Sequence, residues 1–214
     1  MDGGATWVSK NIQDVTLLFD AQILTPLDII VVGQSGKIYK TTDGGDNWAT
    51  IPSGYLSSLN GIDFTSATHG LIVGDDGTIL YTINGGSSWL PRLSGIFQKI
   101  YDIQYISATE AWAVGQTGKI IVTTDGGATW AEQTSLTSAD LFGLYMLDNL
   151  NGWAVGSSGT FLYTVDGGIT WDGIDPGTTK DLKAIHFSSA LDACLVGVSN
   201  YIAVTNDAGF VWDI

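Results

Sequence analysis

Carboxylates are the residues of this chain best suited to chemistry. It has 22 acidic side chains, all aspartate except Glu110 and Glu132. Five places hold Asp or Asn at one spacing: Asp43, Asn84, Asp125, Asp166 and Asp207, each 41 residues from the next. Such groups can bind a hard cation or act as acid and base on a glycosidic bond. A hard cation needs several oxygens at one point, whereas this spacing deals one side chain to each repeat. Asn84 also holds the place without a charge. The expectation is therefore structural, with each side chain accepting bonds from its own turn. Glycoside hydrolysis by paired acids needs two carboxyls about 5 to 10 Å apart in opposed environments. Asp63 and Asp102 can approach each other, but nothing in the sequence marks either as an acid. His69 and His186 occupy non-equivalent places in different repeats, so no convergent metal ligands are expected. Cys194 stands alone, which excludes an intramolecular disulfide and suggests a small buried hydrophobe.

The elements that carry these groups are set by a repeat. Trp7, Trp48, Trp89, Trp130, Trp171 and Trp212 are each 41 residues apart. Each closes a box, as in Thr41-Thr-Asp43-Gly-Gly45-Asp-Asn-Trp48 and Thr123-Thr-Asp125-Gly-Gly127-Ala-Thr-Trp130. A second landmark is Val-Gly followed by Gly three residues later: Val32-Gly33 with Gly36, Val73-Gly74 with Gly77, and so on. The last unit has Val196-Gly197 but Asn200 in the final place. Asp-Gly and Asn-Gly between β-rich runs mark tight turns. The runs between them give four strands per unit: A over residues 59–64, B over 70–74, C over 78–82, and D starting near Trp89. Strand B is apolar at successive positions, as for a strand covered on both faces. Nothing has a helical period with caps.

Four strands per unit of about 40 residues is the signature of an all-β, five-bladed β-propeller of four-stranded antiparallel blades. The expected organisation is one domain over residues 1–214. Its units are 8–48, 49–89, 90–130, 131–171 and 172–212, and five blades are enough to close a ring. Residues 1–7 are a partial copy, expected to pack near the last blade and close that ring. Trp112 and Trp153 share a strand B position with Ile30, Leu71 and Cys194, which points to core packing rather than a sugar-stacking platform.

The formal net charge is −14, and Arg92 is the single arginine. So acidic a chain repels nucleic acid and anionic membranes. No apolar run is long enough to span a bilayer and no targeting segment is visible. No cofactor and no metal are expected.

The box resembles the Asp-box, or bacterial neuraminidase repeat. The longer pattern, Phe64…Thr68-His-Gly70-Leu-Ile-Val-Gly74…Gly77-Thr-Ile…Thr82-Ile-Asn84-Gly-Gly86-Ser-Ser-Trp89, resembles the photosystem II stability/assembly factor-like propellers. It returns in Asn151-Gly-Trp-Ala-Val-Gly156 through Trp171. This resemblance implies a propeller that assembles with a protein partner. It also implies seven blades and an arginine-rich patch, where this chain has five units and one arginine. Sialidases and some glucanases share the box, but sialidases need an arginine cluster.

The candidate binding residues lie where units differ. On strand A one parity is polar or small, and Gln22, Asp63, Gln104, Tyr145 and His186 are expected to border the central channel. The loops from strand D to the next strand A vary too, and carry Tyr55, Arg92 and Phe97, types favoured at interfaces. One asymmetric surface at a channel mouth is expected from Tyr55, Asp63, Arg92, Phe97, Gln104, Tyr145 and His186. The box residues Asp43, Asn84, Asp125, Asp166 and Asp207, with Trp48, Trp89, Trp130, Trp171 and Trp212, are assigned to structure. The functional expectation is a scaffold without catalysis, bound to a protein. A lectin-like carbohydrate module and a glycosidase-type remnant are the alternatives.

Overall fold

The computed structural model describes residues 5–12, 16–207, 209 and 211–213. Its strands fall into five antiparallel sheets in chain order. The first holds β1 (Leu18–Ile23), β2 (Ile29–Gly33), β3 (Ile38–Thr41) and β4 (Ala49–Ile51). The second holds β5 (Leu59–Phe64), β6 (Gly70–Gly74), β7 (Thr78–Thr82) and β8 (Leu90–Leu93). The third is β9 (Ile100–Tyr105), β10 (Ala111–Gly115), β11 (Ile120–Thr123) and β12 (Ala131–Gln133). The fourth is β13 (Leu141–Met146), β14 (Gly152–Gly156), β15 (Phe161–Thr164) and β16 (Asp172–Gly173). The fifth has β17 (Leu182–Phe187), β18 (Ala193–Gly197) and β19 (Tyr201–Thr205), with one bridge from Val204 to Asp213 in place of a fourth strand.

The box turns are built from their own side chains. Thr41 Oγ donates to Asp43 at 2.7 Å, and the Gly45 and Asn47 amides donate back to Thr41 and Asp43 at 3.0 and 2.9 Å. Asn84 reproduces the pattern, with Thr82 donating at 2.9 Å and the Ser88 amide at 3.0 Å. A single acceptor oxygen suffices, so the charge is dispensable.

The boxes after the first also pack on the blade before them. A Cβ on Gly86 would lie 2.3 Å from Ile30, on Gly127 2.9 Å from Leu71, and on Gly168 2.5 Å from Trp112. The strand B residues are thus the floor beneath the next box, and Trp112 and Trp153 belong to the core.

That core is four clusters, each lying between two consecutive blades. Neighbouring blades also meet through their inner strands: β1 with β5, β5 with β9, β9 with β13, and β13 with β17. No comparable contact among the described residues joins β17 to β1. Among the described residues the ring that five blades were expected to close therefore shows a gap between the fifth blade and the first. Equivalent positions record the gap. Ile38, Ile79, Ile120 and Phe161 are at most 2% exposed, and Ile202 is 56% exposed.

The closing segment was expected at the last blade. Residues 1–4 lie outside the described residues, and Trp7 is exposed. The residues that follow lie on the first blade instead, where Lys10 pairs with Asp46 and its side chain lies over Gly45. Lys10 there fills the place that a preceding blade's strand B residue fills over the other boxes.

Candidate functional site

A strand of six residues spans about 20 Å, so the two ends of strand A open on opposite faces of the propeller. At the start of strand A lie the loops from strand D and the short 3-10 turns between strands B and C. At its end lie the A–B turns and the Asp boxes. The expected single channel-mouth surface is split by this length. Tyr55, Arg92 and Phe97 lie toward the first face. Asp63, Gln104, Tyr145 and His186 are the fifth of six residues in their strands and lie toward the second.

Those polar strand residues face the next blade. Asp63 accepts from the Tyr105 amide at 2.6 Å. Gln104 accepts from the Met146 amide at 2.6 Å and donates to the Met146 carbonyl at 3.1 Å. Tyr145 donates to the Phe187 carbonyl at 3.0 Å, and its ring meets that of His186 edge-on at 5.2 Å. Two residues earlier, Asp20 and Asp102 accept from the Ile62 and Leu144 amides at 2.8 and 2.9 Å. This parity staples blade to blade. Gln104 and Tyr145 still line a shallow depression of about 650 Å³.

The same bonds bear on catalysis. Burial pushes the Asp102 carboxyl up to about 7, against the pull of the Leu144 and Ile103 amides. Burial raises Asp20 and Asp63 as well. Both oxygens of Asp102 are already taken by backbone amides, of Ile103 and Leu144, and those of Asp63 by Phe64 and Tyr105. These acids are occupied as fasteners. Among the described residues no group of three or more His, Cys, Asp or Glu side chains is placed to hold a metal ion. Arg92 is also engaged, its guanidinium lying 4.3 Å from the centre of the Tyr81 ring.

The face with the D–A loops is different. Its loops are braced: a Cβ on Gly36, Gly77, Gly118 or Gly159 would lie 2.0 or 2.1 Å from a carbonyl oxygen of the loop above. Ser53 and Ser94 bond both the amide and the carbonyl two residues on. From these fixed loops, and from the end of β8, Leu56, Phe97 and Leu93 project at 90% exposure or more, and Leu136 at 84%. Leu136 holds φ +58° where the other three loops have Gly54, Gly95 and Gly177. That conformation costs a branched side chain roughly 1 kcal/mol, so an exposed apolar residue is kept there against backbone preference.

Inside these loops lies a ladder from β-bulges. Each strand A shifts register near its start, which re-aims one residue. The residues in that place are Phe19, Asn60, Tyr101, Phe142 and Lys183. Tyr101 meets Phe142 edge-on at 5.1 Å, and Lys183 lies 3.5 Å from the centre of the Phe142 ring. Asn60 donates to the Ile100 carbonyl at 2.8 Å. Tyr101 donates to Asp140 at 3.2 Å, and its hydroxyl is pushed up to about 12 by burial and that neighbouring charge. Sequence reasoning missed Leu56, Leu93, Leu136 and this ladder. The only signal was leucine in a loop position where other units have glycine.

The pattern of the repeats decides the family. Residues 95–214, more than half of the chain, match the model of the photosynthesis system II assembly factor YCF48. The chain belongs to the YCF48 family. No curated protein matches it. Solved YCF48 structures share its fold. One, titled "YCF48 bound to D1 peptide", is 16% identical with a TM-score of 0.68, over 94% of this chain and 82% of that one. Another, YCF48 from Cyanidioschyzon merolae, is 20% identical with a TM-score of 0.75, over 98% of this chain and 76% of that one. The GH74 enzyme of Niastella koreensis is 14% identical with a TM-score of 0.76, but this chain spans only 38% of it. At these identities each likeness is one of fold. Among the described residues no helix is long and apolar enough to cross a membrane.

Proposed function

We propose that this YCF48-family propeller is a non-enzymatic assembly scaffold that holds a protein segment on the face carrying the D–A loops. One observation carries the reading. Loops fixed by glycine contacts and serine bonds display Leu56, Leu93, Phe97 and Leu136 to solvent. Rigid loops lose little entropy on binding, and exposed apolar anchors give most of the affinity at protein interfaces. The Tyr101–Phe142 ladder with Lys183 adds an aromatic and cationic floor for a peptide. A family relative solved with a D1 peptide supports a peptide as the class of ligand. The acids that a hydrolase would need are tied to backbone amides.

The test is titration with a D1 peptide. Leu56→Ala with Phe97→Ala should weaken binding more than tenfold, about 1.4 kcal/mol or more, with an unchanged unfolding temperature. Normal binding by that pair, together with loss of binding in Gln104→Ala with His186→Ala, would place the site on the opposite face. Binding of glycans but not peptide would favour the lectin-like alternative.

A further inference from the structure

We propose that the face carrying the D–A loops takes an uncharged, apolar segment of its partner, because the charges of that face are cancelled within it. This selectivity rests on the reading above, that the face holds a protein segment. The two ends of the propeller differ in charge. Toward the box end stand nine acids, four in the A–B turns and five in the boxes, against Lys10 and Lys40. Toward the D–A end stand the other six basic side chains, and six acids match them: Asp75, Asp76, Glu132, Asp140, Asp175 and Asp181. That end is formally neutral in a chain whose net charge is −14.

The balance is struck pair by pair. Lys99 lies 3.1 Å from Asp75, Lys183 lies 3.1 Å from Asp181, and Lys119 pairs with Glu132. Asp140 accepts from the Tyr101 hydroxyl at 3.2 Å, and Asp76 from the Ser57 hydroxyl at 2.7 Å. Lys180 donates to the Ser199 carbonyl at 3.2 Å. An arginine-rich patch would invite acidic groups, but the one arginine here lies on the Tyr81 ring. Lys99 and Lys183 flank the aromatic ladder, 5.8 Å from the centre of the Tyr101 ring and 3.5 Å from that of Phe142. Each brings its own carboxylate to the edge of the ladder. A charged side chain arriving there competes with a partner already in place and gives up its water as well. An apolar one gains by burial against Leu56, Phe97 and Leu136. The acids of the box end do not change this balance. They lie about 20 Å away along the strands, beyond a Debye length of about 8 Å at physiological ionic strength.

The test is titration of a fluorescent D1 peptide at about 0.05 M and about 0.5 M salt. Three chains are compared: the wild type, Asp75→Asn with Asp181→Asn, and Leu56→Ala with Phe97→Ala. The asparagines keep an oxygen for Asn60 and for the Ser158 amide, and leave Lys99 and Lys183 without a countercharge. Unfolding temperatures check that all three chains fold. The wild-type Kd should differ by less than about threefold between the two salts. The asparagine pair should stay within about threefold of the wild type at low salt. A larger change in either direction, in salt or in the asparagine pair, means that the segment carries charge and overturns the selectivity. The face itself is still the right one in that case, provided that Leu56→Ala with Phe97→Ala weakens binding more than about tenfold. Normal binding by that pair overturns the reading of the face instead. A peptide that does not bind the wild type overturns both.

Discussion

The second and fifth blades share one strand plan and differ in what covers them. On the second, Leu71, Val73 and Ile79 lie at 0 or 1% exposure beneath the third blade. On the fifth, the same places hold Cys194, Val196 and Ile202, facing outward. The sheets form alike in both, because turn chemistry and strand pairing are local to the unit. The hydrophobic stabilisation is not local. A single sheet here has no core of its own, and each apolar face counts only through a neighbour.

The largest expected effect follows from that contrast. Ile79→Ala should cost about 2 to 5 kcal/mol, as for truncation in a packed core. Ile202→Ala, 41 × 3 residues along the same repeat, should cost less than about 0.5 kcal/mol. Urea unfolding of dilute protein measures both, and equal losses would mean that the fifth blade is covered in the free chain.

A second test uses the polar bonds between blades. The third blade reaches the fourth through Asp102, and the fifth has Ala184 in that place. The folded-state value of Asp102 is raised to about 7 from the ordinary 3.8. Stability from this group is therefore full below about pH 4 and lost as pH rises through about 7. Three units correspond to about 4 kcal/mol at most. Asp102→Asn should flatten the fall in stability between about pH 4 and about pH 7, as read by denaturant midpoints at each pH. The box residues run the other way. Hydrogen bonds from the Asn47 and Thr129 backbones hold Asp43 and Asp125 at about 2, so their contribution fades only as pH falls below about 4 toward 2.

The smallest effect concerns the loops over the middle blades. Leu136→Gly removes a side chain from a left-handed conformation and should raise stability by up to about 1 kcal/mol. The same change should weaken peptide binding. Calorimetry and peptide titration on one preparation check both signs, and a loss of stability would mean that Leu136 packs against the fold.

Much of the blade was legible from residue order alone. The strand assignments for the second unit match the structure almost residue for residue, because Asp-Gly, Asn-Gly and Gly-x-x-Gly leave the chain few alternatives. The bonds within the box turn were legible because Asn84 can replace Asp as the acceptor. Openness was not, since the fifth unit's apolar pattern is the same whether or not a neighbour covers it. The split of the expected site was missed because parity along a strand does not say which end a residue occupies. The ladder of Tyr101, Phe142 and Lys183 was hidden by the bulge, which moves one residue out of alternation.

The four separate cores have a consequence for how the molecule comes apart. Blades joined in a row, each touching only its neighbours, behave like a one-dimensional chain of coupled units. Among the described residues the second, third and fourth blades are held from both sides, and the outer two from one. Opening fluctuations therefore begin at the ends and run inward, with amide protons of β19 exchanging before those of β6, β10 or β14. The loops bearing Leu56, Phe97 and Leu136 each touch this slowly exchanging middle, so a bound segment would be gripped by the part of the molecule that frays last.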